Sequence, residues 1–155
     1  MSAARLIAQC KARGFTLATA ESCTGGMIAA ALTDIPGSSA VFTHGFVTYS
    51  DEAKTEMLGV PAGLITAVGA VSEAVARRMA QGAKNRARVD FAVSVTGIAG
   101  PDGGSAQKPV GTVWFGLAGP GGITTYHRIF TGNRQQIRAA SVAFALRLFC
   151  EGTEK

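Results

Sequence analysis

A chain of 155 residues with 47% hydrophobic and 16% charged side chains suits one compact domain that buries roughly two thirds of its unfolded surface, and excludes a disordered chain. The formal charge of +5 is moderate, and its densest run, Arg77, Arg78, Lys84, Arg86 and Arg88, has no aromatic residue within it, so a nucleic-acid surface is not indicated and a solvated face is. Polar residues break every apolar stretch well short of a membrane span, and Met1 to Gly14 reads as an amphipathic helix rather than a signal peptide, so the expected protein is soluble and cytoplasmic.

Leu6, Ile7 and Cys10 form the apolar stripe of a first helix that stops near Gly14. Phe15 to Ala20 is a buried strand, and a helix is expected from about Cys23 to Leu32. The turn Asp34-Ile35-Pro36-Gly37 leads into a β-branched and aromatic strand from Val41 to Tyr49. Ser50 caps a short helix with Asp51 and Glu52 in its first turn, ending at Gly59 before Pro61 and carrying Lys54. Ser72 and Glu73 open the next helix, with Val75, Met79 and Ala83 as its buried stripe. Val89 to Thr96 is a central strand, and Gly97 to Pro109 a glycine-rich loop. Val110 to Ala118 and Ile123 to Phe130 form a hairpin across Gly119-Pro120-Gly121-Gly122. A last helix follows, its core face made of Ile137, Ala140, Phe144 and Leu148. This order predicts an α/β fold: a three-layer α/β/α sandwich on a mixed, mostly parallel sheet, forming a single domain over residues 1–155.

The segment Ala18-Thr19-Ala20-Glu21-Ser22-Cys23-Thr24-Gly25-Gly26 places nucleophile-grade side chains between a strand and a helix. Helix N–H groups there bind anions and stabilise developing negative charge; the same residues also serve as an ordinary N-cap and tight turn. A serine nucleophile needs a base. Of the two histidines, His44 stands at odd separation from Tyr49, hence on the opposite face of a regular strand, and His127 lies inside the hairpin. Lys54, five residues after Tyr49, is the remaining candidate. A Ser22–Lys54 pair requires a neutral lysine, which desolvation or nearby positive charge supplies; the alternative is a surface lysine beside Glu56.

The loop Thr96-Gly97-Ile98-Ala99-Gly100-Pro101-Asp102-Gly103-Gly104 brings a hydroxyl and backbone N–H groups close to any ligand, or is a long surface turn. It is no Walker A motif, because Lys108 is followed by Pro109. Asn133 and Gln136 have capping-box spacing, and Arg134 and Arg138 share one side of the helix they open: a phosphate site or an ordinary capped helix. Cys10, Cys23 and Cys150 show no CxxC spacing and fit a reducing compartment, and no His, Cys and carboxylate group has metal-ligand spacing.

Four motifs occur in order: Glu21-Ser22-Cys23-Thr24-Gly25-Gly26; Gly45-Phe46-Val47-Thr48-Tyr49-Ser50 with Lys54 and Leu58-Gly59-Val60; Thr96-Gly97-Ile98-Ala99-Gly100-Pro101; and Lys108-Pro109-Val110-Gly111-Thr112-Val113. From about Leu6 to Phe149 the chain resembles the CinA C-terminal domain family, known as nicotinamide-nucleotide amidohydrolases. The resemblance implies an α/β/α sandwich without metal or cofactor that converts nicotinamide mononucleotide and water to nicotinate mononucleotide and ammonia. It implies Ser22 as nucleophile, Lys54 as base, Tyr49 and Thr96 as polar partners, and Arg134 with Gln135 as the ligand-contacting helix start. Cys23, Thr24, Gly25 and Gly97 are expected beside the substrate, with backbone N–H groups near Cys23 or Thr24 holding the oxyanion. Many members carry a further N-terminal domain resembling molybdopterin-binding proteins, for which this chain has no room. The alternatives are a pyridine-nucleotide sensor without catalysis and, ranked last, a thiol amidase using Cys23. A homo-oligomer, in the first place a dimer, is expected for a small apolar domain of this kind.

Overall fold

The computed structural model describes residues 2–155. Helix α1 (Ala3–Arg13) is opened by the Ser2 hydroxyl and closed by Gly14 in the left-handed conformation. The strands are β1 (Leu17–Glu21), β2 (Phe42–Val47), β3 (Phe91–Gly97), β4 (Thr112–Gly119) and β5 (Gly122–Ile129). They form one sheet in the order β2-β1-β3-β4-β5. β1 pairs parallel with β2 and β3, whereas β4 is antiparallel to both β3 and β5. Four of the five strands therefore run the same way, as expected for a mixed, mostly parallel sheet.

The remaining helices are α2 (Met27–Thr33), α3 (Asp51–Leu58), α4 (Ala62–Val68), α5 (Glu73–Ala87) and α6 (Arg134–Glu154). Alternation along β1 divides the core: Leu17 faces Leu6, Ile28, Leu32 and Phe149 on the side of α1, α2 and α6. Ala18 and Ala20 face Leu58, Val75 and Met79 on the side of α3, α4 and α5. These are the three layers. Among the described residues, no helix is long and apolar enough to cross a membrane.

Small residues set the distance of α5 from its neighbours. A Cβ at Gly82 would stand 2.0 Å from the Leu58 carbonyl oxygen, so the bare backbone of α5 lets the C-terminal end of α3 dock against it. The Ser94 hydroxyl on β3 donates to the Ala76 carbonyl of α5 at 2.6 Å. That contact ties the helix to the central strand.

Three expectations change. α2 begins at Met27 and not near Cys23, because Gly25 and Gly26 take positive φ angles of 56° and 99°, and the chain turns before it coils. α4 is an additional element: its seven residues, with a glycine at the second position, are too short for a legible helical period. On α6 the buried line runs through Ile137, Ser141, Ala145 and Leu148. Ala140 and Phe144 flank it half-buried, with Phe144 packed against Phe115 and under the Arg128 guanidinium.

Candidate active site

Ser22 is the first residue beyond β1, and its N–H continues the sheet by donating to the Val95 carbonyl of β3 at 3.0 Å. The chain then folds back, with Gly25 N–H donating to the Ser22 carbonyl and Met27 N–H to the Thr24 carbonyl, both at 3.0 Å. The first turn of α2 is not open to an anion. The fully buried Glu21 carboxylate accepts from the Ile28 and Ala29 amides at 2.9 and 3.0 Å and from the Thr24 hydroxyl at 2.7 Å. Glu21 is thus the cap expected of Ser22 or Thr24, which leaves the Ser22 hydroxyl free. Among the described residues, the amides of Cys23 and Thr24 have no backbone acceptor.

Lys54 is buried to 1% relative exposure, which removes the reading of it as a surface residue. Its Nζ lies 3.0 Å from Ser22 Oγ. It also donates to the Thr48 carbonyl at 2.8 Å and, more weakly, to those of Tyr49 and Ser50 at 3.4 and 3.5 Å. The cause is local: Ser50 caps α3 through the Ala53 amide, and the first turn of that helix swings Lys54 back under the segment that precedes it. Burial pushes the Lys54 pKa below its ordinary 10.5, against a smaller opposing effect of the Asp51 carboxylate. No carboxylate forms an ion pair with it among the described residues.

Burial drives the Cys23 thiol the other way, to about 11, so at neutral pH it stays protonated despite its place beside Ser22. Neither histidine borders the site. His44 stacks on Phe46, and His127 stacks on Trp114 with ring centroids 4.6 Å apart.

Ser22 and Lys54 open into a cleft of about 290 Å³ at the carboxyl ends of the parallel strands. Cys23, Thr96 and Gly97 border it, and the Thr96 hydroxyl donates to the Ala70 carbonyl at 2.9 Å. Arg134 and Tyr49 also border it: Arg134 donates to the Gly100 carbonyl at 2.8 Å and to the Tyr49 hydroxyl at 3.1 Å, joining the glycine-rich loop to the end of β2. Three residues expected beside the substrate lie elsewhere. Thr24 is buried against Glu21, Gly25 sits by the Arg138 guanidinium, and Gln135 is exposed at the start of α6, outside the cleft lining.

Arg138, considered with Arg134 for a phosphate, instead donates to the Cys23 and Thr24 carbonyls at 2.9 and 3.4 Å. Two carboxylates that sequence reasoning did not assign, Asp51 and Asp102, border the cleft. Asp51 lies three positions before Lys54, a spacing that shares one helix face. A larger groove of about 440 Å³, at the opposite end of the sheet between Arg13 and Tyr126, contains no comparable nucleophile and base.

These features define an α/β domain in which a serine and a buried lysine meet at the carboxyl ends of parallel strands. The chain belongs to the CinA C-terminal domain family, whose model matches residues 1–152. It is 56% identical over 138 residues to nicotinamide-nucleotide amidohydrolase PncC of Escherichia coli K12, covering 88% of this chain and 84% of that protein. A CinA-like protein of Anaeromyxobacter is 50% identical over 145 residues, 94% of this chain but 35% of that longer protein. The crystal structure of the competence/damage inducible protein CihA from Agrobacterium tumefaciens superposes with a TM-score of 0.95 at 48% identity, covering 99% of this chain and 93% of that one.

Proposed function

We propose that this protein hydrolyses the carboxamide of nicotinamide mononucleotide to nicotinate mononucleotide and ammonia, through a Ser22–Lys54 pair and without a metal. The observation that carries the reading is the 3.0 Å approach to the Ser22 hydroxyl of a buried lysine that has no ion pair among the described residues. The 56% identity to an amidohydrolase of that name supports the substrate.

A neutral amine has two N–H bonds, which the Thr48 and Tyr49 carbonyls accept, leaving its lone pair for the Ser22 hydroxyl proton. As Lys54 takes that proton, Ser22 Oγ attacks the amide carbon and the carbonyl oxygen becomes an oxyanion beside the Cys23 amide. The Lys54 ammonium then protonates the leaving nitrogen, the C–N bond breaks, and ammonia departs. Water, deprotonated by the same amine, cleaves the acyl-serine and restores both side chains. The cationic pyridinium of the substrate further disfavours the ammonium form of Lys54. Arg134, with Tyr49 beside it, meets the 5′-phosphate.

Three free, buried cysteines support a reducing cytoplasmic location. The exposed edge strand β2, with Val47 and Tyr49 at its end, supports pairing of two copies as a homodimer.

The test is release of ammonia and nicotinate mononucleotide by the purified chain, beside Ser22→Ala and with chelator present. Activity that disappears in the variant and ignores the chelator is the expected result. Binding of the nucleotide without ammonia release would replace the enzyme by a sensor, and activity in Ser22→Ala would remove the serine mechanism.

A further inference from the structure

The turn that carries the nucleophile is gripped from two sides by charged groups that do not themselves border the cleft. Glu21 is fully buried with no counter-ion among the described residues, yet it is satisfied by the Thr24 hydroxyl and two α2 amides. Arg138 reaches the same turn from α6, 115 positions away, and binds the Cys23 and Thr24 carbonyls.

Peptide planarity converts this grip into an orientation. In a trans peptide the carbonyl and the following N–H point in opposite directions. Holding the Cys23 carbonyl on Arg138 therefore fixes the peptide plane that follows Cys23, and with it the conformation of Cys23 itself. The Ser22 carbonyl, fixed by Gly25 N–H, sets the Cys23 amide in the same manner. The Cys23 amide, at the border of the cleft, has no backbone acceptor among the described residues.

We propose that Arg138, backed by Glu21, is a positioning residue: it holds the turn so that the Cys23 amide, at the border of the cleft, serves as oxyanion donor, and it does not bind the substrate phosphate. The inference rests on Ser22 being the nucleophile. Arginine suits the task, because its planar fork meets two carbonyls at once where a lysine offers a single point charge. The turn itself has only Gly25 and Gly26 beyond Thr24, which offer little stiffness of their own.

Arg138→Gln and Arg138→Lys decide the matter, with nicotinamide mononucleotide and its phosphate-free riboside as substrates. The concentration of competent sites is counted by endpoint labelling with a small sulfonyl fluoride. In that reaction Ser22 Oγ bonds to sulfur, fluoride leaves, and the serine proton passes to Lys54. An oxyanion donor acts in the transition state, so kcat per labelled site falls on the order of 10- to 100-fold for both substrates, while KM stays within about two-fold. The lysine variant recovers part of the loss. Glu21→Gln, which turns one acceptor oxygen into a donor facing an amide, follows the same pattern wherever it folds.

A rise in KM confined to the phosphorylated substrate would make Arg138 a phosphate ligand. An unchanged kcat per labelled site would reduce it to a structural contact. Either result overturns the proposal while the proposed function stands. A parent chain that neither labels at Ser22 nor releases ammonia would overturn both.

Discussion

The amine of Lys54 and the hydroxyl of Ser22 stand 3.0 Å apart, although 32 positions separate them and they belong to opposite ends of a parallel crossover. β1 delivers the serine, and α3, after the neighbouring strand β2, delivers the lysine. Parallel pairing makes both leave the sheet at the same edge, so the pair is a consequence of topology. Lys54→Met keeps most of the buried side-chain volume and removes the base. The expected result is a loss of about 10³-fold or more in kcat with a melting temperature within about 5 °C of the parent. Retained activity would mean that another group takes the serine proton.

Protonation of Lys54 should be visible twice. Its folded pKa is lowered by burial, so kcat/KM rises with pH through that lowered value and not through 10.5. Between the two values the unfolded chain binds more protons at this site than the folded one, and stability therefore increases with pH across that window. The melting temperature of the parent relative to Lys54→Met should climb over the same range. Asp51 holds the Lys54 pKa up, so Asp51→Asn should move the rising limb of the activity profile to lower pH. A limb that stays in place would remove Asp51 from the electrostatics of the pair.

Arg134 is the cleft cation whose present partners are neutral, the Gly100 carbonyl and the Tyr49 hydroxyl. A phosphate can take their place. A charge-assisted contact contributes about 1.5–3 kcal/mol, so Arg134→Gln should raise KM for nicotinamide mononucleotide about 10- to 100-fold. The riboside should be affected far less. Equal effects on both substrates, measured as kcat/KM, would place the phosphate elsewhere.

The parts of this fold legible in the sequence are those dictated by local physics. Val75, Met79 and Ala83 give α5 its period, Ser50 and Gly59 bracket α3, and Gly119 to Gly122 turn the hairpin. The pairing of Ser22 with Lys54 was legible as a pattern of residue types, because no histidine was placed to serve. Burial of Lys54 was not legible: one lysine on a helix with three acidic residues reads as a solvated face until the strand order is known. The roles of Glu21 and Arg138 were hidden for a related reason. A carboxylate that caps a helix from the preceding strand, and an arginine that binds carbonyls from another layer, leave no spacing rule in the chain.

Gly82 shows how far from the cleft the geometry is decided. A methyl group there would meet the Leu58 carbonyl carbon at 2.8 Å and its oxygen at 2.0 Å, both backbone atoms that cannot rotate away. Leu58 is the last residue of α3, so relief of the clash must shift the helix that carries Lys54. Gly82→Ala gains helix propensity of about 1 kcal/mol in α5, yet overpacking typically costs about 1–3 kcal/mol. The expected outcome is a net loss of stability with kcat reduced and KM little changed, since the displaced group is the base. Thermal unfolding and steady-state kinetics on the same preparation separate the two effects. A stabilised variant with parental kcat would mean that α3 can move without moving Nζ.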